Sequence, residues 1–244
     1  MTATGQKLII TLASKNEGKR RELMHWLAQS ELPIEIALNE GADDVDETGS
    51  TFLENAWLKA GQTVPVPGSC LVLGEDSGMV VDALDGRYGI SPFPGLYSNR
   101  WLTPAIRDEL LGRSIPNRMP LDRVTETGVT NSDLCHGVLS LMEGESNRAA
   151  RYCCGMALWH TKLGKCFEAL ESTELRIIEG VPRGMNGFGY DPITVPFEEA
   201  GPADIPLSCE RTMAELSVEE KNRISHRGRA LGKLVAYLRE YQNP

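Results

Sequence analysis

The sequence predicts an α/β protein, with an elongated mixed β-sheet flanked by helices and two lobes around a central cleft. Three observations carry this. The chain opens on strand, loop and helix. Two strand-like runs, 149–160 and 165–176, meet as a long hairpin around Lys162, Leu163 and Gly164. The chain then closes on a helix-period stretch. At 244 residues it can bury the core of one large domain or of two lobes, and we take residues 1–244 as a single domain of two lobes. A cleft between lobes is the natural place for a ligand.

Residues 7–13 (KLIITLA) read as a buried strand and 14–18 as a turn. Residues 19–29 form a helix with Leu23, Trp26 and Leu27 inward. Residues 34–38 are a second strand and 43–49 an acidic loop. Thr51, with Glu54 three residues on, starts a helix carrying Phe52, Ala56 and Lys59. Residues 69–73 form a short strand, and 79–84 begin another element. Between 86 and 133 Gly, Pro and Arg are frequent, and only 103–111 reads as helical. Residues 182–196 are a Gly/Pro-rich loop. Ser217 with Glu220 caps a closing helix that reaches about Tyr241, with Ile224, Leu231, Leu234, Val235 and Leu238 at helical spacing.

Composition bounds the function. Hydrophobic content is 41% and charged content 24%, both ordinary for a globular protein. The net charge of -9 and a pI near 5.1 argue against nucleic-acid or anionic-membrane partners, which need a basic surface. A small anionic ligand held by a few local cations and a metal remains compatible. The six cysteines (70, 135, 153, 154, 166 and 209) form no CxxC pair, so we expect reduced, mostly buried thiols and no zinc site. The apolar run 8–13 is strand-length, so we expect no signal peptide, no membrane span and a cytoplasmic location.

Five motifs carry chemistry. Arg227 falls on the inward face of the last helix, beside His226, and a buried guanidinium needs a carboxylate, a phosphate or a polar ligand atom. Ser14-Lys15-Asn16-Glu17-Gly18-Lys19 follows a strand and opens a helix, where backbone N–H groups favour phosphate and Lys19 adds a charge. Ala13 and Arg20 stand where a Walker loop would need Gly and Ser or Thr, which disfavours that fold. Asp46 and Glu47 lie at the mouth of the Thr51 helix and suit a hard cation, although acids also favour helix starts. Gly74-Glu75-Asp76-Ser77-Gly78 reads as a tight turn with two acids and a hydroxyl, able to bind metal and activate water. Asn186-Gly187-Phe188-Gly189-Tyr190-Asp191-Pro192 frames an aromatic with glycines, a platform for stacking a base or a turn with its rings in the core.

In this order the blocks LASKNEGKRREL, ETGSTFLENAWLKA, GEDSGMVVDAL with PGLYSNRW, PRGMNGFGYDPI, and RTMAELSVEEKNRISHRGRAL resemble the inosine triphosphate pyrophosphatase family. The resemblance spans residues 12–231. It implies a homodimer that needs Mg²⁺ and hydrolyses ITP, dITP and XTP to the monophosphate and pyrophosphate, cleansing the nucleotide pool. By position, Ser14, Lys15, Asn16, Glu17, Gly18 and Lys19 are implied as the triphosphate loop. Asp76 is implied as metal ligand and proton acceptor, with Ser77 beside it, and Glu47 with Asp46 as the other acids of the metal site. Phe188, Gly189, Tyr190 and Asp191 are implied as the base-binding segment, and His226 with Arg227 as the reader of the purine edge. Glu75 stands where the family usually has Asp, and Arg211 where a substrate-contacting Lys is usual. The alternatives are a related pyrophosphatase for modified pyrimidine triphosphates and a nucleotide sensor that does not hydrolyse.

The expected reaction is attack of water, activated at the Mg²⁺ site, on the α-phosphorus. Asp76 would accept a proton, and Lys19 with the loop amides would steady the departing pyrophosphate. Arg227 has only donors, so it would donate to the six-carbonyl of hypoxanthine or xanthine and oppose adenine's amino group.

Overall fold

The computed structural model describes residues 7–38, 45–111, 128–197 and 210–242. The start of the acidic loop, the stretch 112–127 and Cys209 lie outside the described residues.

Strand β1 (Leu8–Ala13) leads through helix α1 (Glu17–Ala28) to β2 (Ile34–Leu38), and helix α2 (Phe52–Gln62) leads to β3 (Leu71–Val81). β1 pairs in parallel with both: Leu12 lies opposite Leu38 on one side and Leu73 on the other. Parallel neighbours need a crossover, and α1 and α2 supply the two. Helices α3 (Pro104–Leu111) and α4 (Asn131–Leu141) come next, then β4 (Ala149–His160) and β5 (Gly164–Ile177). β6 (Thr194–Pro196) pairs antiparallel with β5. The sheet is therefore mixed, in the order β2-β1-β3-β4-β5-β6. Helices α5 (Val218–Ile224) and α6 (His226–Gln242) close the chain.

The chain divides into two compact units, one of residues Met1–Ser77, Cys153–Glu171 and His226–Pro244, the other of Gly78–Tyr152 and Ser172–Ser225. In the first, Ile10, Leu12, Leu71 and Leu73 pack with Leu23 of α1, with Met156 and Leu158 of β4, and with Leu231, Leu234 and Leu238 of α6. The second gathers Met79, Leu84, Phe93, Trp101, Leu134, Val138, Leu175, Ile193, Met213 and Leu216. Each such buried side chain contributes about 1.5–3 kcal/mol.

Three expectations need correction. The turn expected at 74–78 is the middle of β3, an eleven-residue strand. Gly74 serves close approach rather than a bend, because a Cβ there would lie 2.1 Å from the Ala56 carbonyl oxygen of α2. The closing helix is two helices. Ser225 is extended (ψ 148°), and Thr173 Oγ1 donates to the Ile224 carbonyl at 2.8 Å. Ile224 packs in the second unit's core while Leu231 packs in the first's, so one stripe in the sequence serves two cores. Finally, α4 starts at the end of the stretch 86–133, where the sequence reads as helical only at 103–111, although Thr130 and Asp133 form a capping box there.

Among the described residues Cys135 and Cys154 are buried, and Cys70, Cys153 and Cys166 are half-buried rather than enclosed. No helix among the described residues is long and apolar enough to cross a membrane.

Candidate active site

In the first unit β1 delivers the chain to the start of α1. Asn16 caps that helix, its side-chain oxygen accepting from the Lys19 N–H at 3.1 Å, and Ser14 Oγ accepts from the Asn16 N–H at 3.3 Å. Gly18 is buried, and Lys15 and Glu17 are exposed. Lys19 turns inward, its Nζ 2.9 Å from Glu75 Oε2 and 3.9 Å from Asp76 Oδ1.

Helix α2 brings a second cation to the same acids. Lys59 Nζ lies 2.6 Å from Glu47 Oε1 and 3.1 Å from Asp76 Oδ1, and it donates to the Glu75 carbonyl at 3.2 Å. Burial works against the Lys59 charge, yet the carboxylates of Asp76 and Glu47 outweigh it and raise its pKa. The fully buried Asn55, also on α2, donates to Asp76 Oδ2 at 3.0 Å and accepts from the Gly49 N–H at 2.8 Å. Both oxygens of Asp76 are thus fixed, and the acidic loop is tied to it.

Glu75 is held from another side. Arg227 donates through Nε and Nη2 to Glu75 Oε1 at 3.3 and 3.2 Å, through Nη2 to Ser77 Oγ at 2.9 Å, and through Nη1 to Glu22 of α1. Burial raises the Glu75 pKa, but Lys19 and Arg227 outweigh it and hold the carboxyl well below the usual range. His226 is buried beside Arg227 at the first position of α6. The guanidinium expected to read a purine edge is therefore a partner of carboxylates first.

Asp46, unlike Glu47, is exposed, and among the described residues no three metal-ligating side chains form a cluster. Glu47 and Asp76 nonetheless suit a hard cation: two carboxylate oxygens converge on one positive charge, the Lys59 ammonium. Two protein carboxylates plus phosphate and water oxygens are a usual Mg²⁺ set.

In the second unit Asp191 and Lys221 form a buried pair, Nζ to Oδ2 2.6 Å. The same oxygen accepts from the Phe188 N–H at 2.8 Å, and Lys221 Nζ stands 5.3 Å from the centre of the Phe188 ring. Gly187, at φ +74°, is required there, since a Cβ would meet Asp191 Oδ2 at 2.0 Å. Gly189 (φ +62°) accepts from Cys135 Sγ at 3.3 Å. Tyr190 departs from expectation: its ring is buried, its hydroxyl accepts from Trp101 Nε1 at 2.8 Å and donates to the Ser98 carbonyl at 2.5 Å. It anchors the segment and offers no stacking face. Arg211 is half-exposed and pairs with Glu220 of the α5 cap at 3.0 Å.

Lys59, Asn55, Glu22 and Lys221 escaped the sequence reading as site residues. A signal existed for the first three: Lys59 and Asn55 share one face of α2, and Glu22 lies one turn after Lys19 on α1. A charge on an inward face demands a partner, as it did for Arg227.

The Ham1 family model matches residues 10–237. The chain belongs to the Ham1 family. A protein of Aquifex aeolicus (strain VF5), named dITP/XTP pyrophosphatase, is 38% identical over 235 residues covering 94% of this chain and 96% of that one. A Ham1 protein structure from Coxiella burnetii is 32% identical, with TM-score 0.67, covering 96% of this chain and 99% of that one. The Staphylococcus aureus Ham1 protein matches at TM-score 0.66 and 26% identity, over 96% of this chain and 99% of that one. The family resemblance and the α/β fold expected from sequence are both borne out.

Proposed function

We propose that the chain hydrolyses the non-canonical purine triphosphates dITP, XTP and ITP to the monophosphate and pyrophosphate. One observation carries the reading beyond family membership: Lys19, Lys59, Glu47, Glu75 and Asp76, from four segments of the chain, converge in one partly buried cluster at the capped start of α1. Such a site balances cations against carboxylates until a polyanion arrives.

In this proposal Ser14, Asn16, Gly18 and Lys19, flanked by Lys15 and Glu17, receive the triphosphate, with the α1 N–H groups facing its charge. Asp76 accepts the proton of the attacking water. The new bond forms to the α-phosphorus, the bond from that phosphorus to the bridging oxygen breaks, and pyrophosphate leaves with the electron pair. Lys19 steadies the departing oxygens. A divalent cation, Mg²⁺ in this proposal, held by Glu47 and Asp76 with Asp46 adjacent in sequence, supplies neutralisation of the phosphate charge.

Phe188 and Gly189 take the base in the second unit, beside Lys221 as Asp191 holds it. Lys221 is a donor-only group and suits a six-carbonyl. A mismatched buried donor costs about 1–3 kcal/mol, which disfavours adenine. His226 and Arg227 in the first unit remain proposed readers of the purine edge. The homodimer implied by the resemblance is part of the proposal and is checked by light scattering.

Hydrolysis of XTP in ¹⁸O-water tests the reaction. The proposal requires Mg²⁺-dependent formation of XMP and pyrophosphate, with the label in XMP alone. Label in pyrophosphate, or release of inorganic phosphate and a diphosphate, would sink it.

A further inference from the structure

In the second unit residues 184–191 are fastened at both ends. At the far end stands the Asp191–Lys221 pair. At the near end the N–H groups of Met185 and Asn186 both donate to the Ala214 carbonyl, at 3.1 and 3.0 Å. Gly184, at φ +84°, permits that approach: a Cβ would lie 2.4 Å from the Ala214 carbonyl. Asn186 adds a side-chain bond, Nδ2 donating to the Leu216 carbonyl at 2.8 Å. Leu216 directly precedes Ser217, the cap of α5, and the Lys221 N–H donates to the Ser217 carbonyl at 2.9 Å.

Between these fastenings Gly187 and Gly189 both hold positive φ, so the backbone around Phe188 has little stiffness of its own. Its placement must be imposed from the ends. Asn186 is exposed, so its side-chain bond matters little to the core.

We propose that Asn186 is a positioning residue for base recognition: by tying the turn that carries Phe188 to the carbonyl that leads into α5, it fixes Phe188 relative to Lys221. The inference rests on the reading of Phe188 and Lys221 as base-binding groups.

Asn186→Asp tests it, being the same size but turning the donor into an acceptor facing the Leu216 carbonyl. Asn186→Ala removes the donor only. Steady-state kinetics with XTP and dITP should show KM raised about tenfold by the Asp variant and about threefold by the Ala variant, with kcat changing less than KM, as for loss of a binding geometry. Melting temperatures should stay within a few degrees of the wild type. Wild-type KM in both variants, or a fall in kcat with KM unchanged, overturns the inference while leaving the proposed function standing. A wild-type chain that releases no pyrophosphate from either substrate overturns both.

Discussion

Arg227 and Glu75 form a buried ion pair, Nη2 to Oε1 3.2 Å, with side chains only 4% and 3% exposed. The carboxylate gains a second cation in Lys19, and the guanidinium a second acid in Glu22. The four side chains thus form a chain of alternating charge, Lys19–Glu75–Arg227–Glu22, that ties α6, α1 and β3 together.

Removing one member strands a buried charge. Arg227→Ala should cost about 3–5 kcal/mol of stability. Arg211→Ala, at a half-exposed pair, should cost no more than about 1 kcal/mol. Urea unfolding of both variants measures the contrast, and equal losses would contradict it.

Glu75 also sets an acid limit. Its carboxyl titrates below its unfolded value, so the stability it contributes is complete above the unfolded pKa of about 4.3 and is lost as pH falls toward the folded value. Denaturant melts from pH 6 down to pH 3 should show stability falling in the wild type. Glu75→Gln should flatten that limb, and an unchanged slope would remove Glu75 from the account.

Asp76 accepts from Asn55 and Lys59 on separate oxygens, which fixes its orientation. Asp76→Asn should keep the fold, by circular dichroism and melting, yet lower kcat by about 10²–10⁴. Activity near the wild type would deny Asp76 the proton.

Lys19 acts on phosphate rather than base. Lys19→Ala should lower kcat/KM by about 10- to 100-fold for XTP and ATP alike, the loss of a charge-assisted bond. A change confined to one base would place Lys19 elsewhere in the mechanism.

Much of the fold was legible because strand and helix periods, together with caps such as Thr51, are local signals. The misses at Gly74 and Ser225 share one cause: the deciding contact came from far along the chain. Gly74 read as a turn residue because Ala56, its real reason, lies in another element. The break at Ser225 leaves no trace in a stripe whose ends serve different cores. For the site, residue types and order were legible, and Arg227's need for a partner could be argued from burial alone. Which protein groups meet it, Glu75 and Glu22, depended on α1, β3 and α6 coming together. Tyr190 looked available because it follows Gly189 in the glycine-framed segment, whereas Trp101 and Ser98 claim its hydroxyl.

The most direct test is kcat/KM for pyrophosphate release from XTP, dITP, ITP, ATP, GTP and dTTP with Mg²⁺, against an EDTA control. The account predicts strong Mg²⁺-dependent release from XTP, dITP and ITP, with ATP and dTTP lower by tenfold or more. Equal release from ATP, release from dTTP alone, or none from any nucleotide would contradict it.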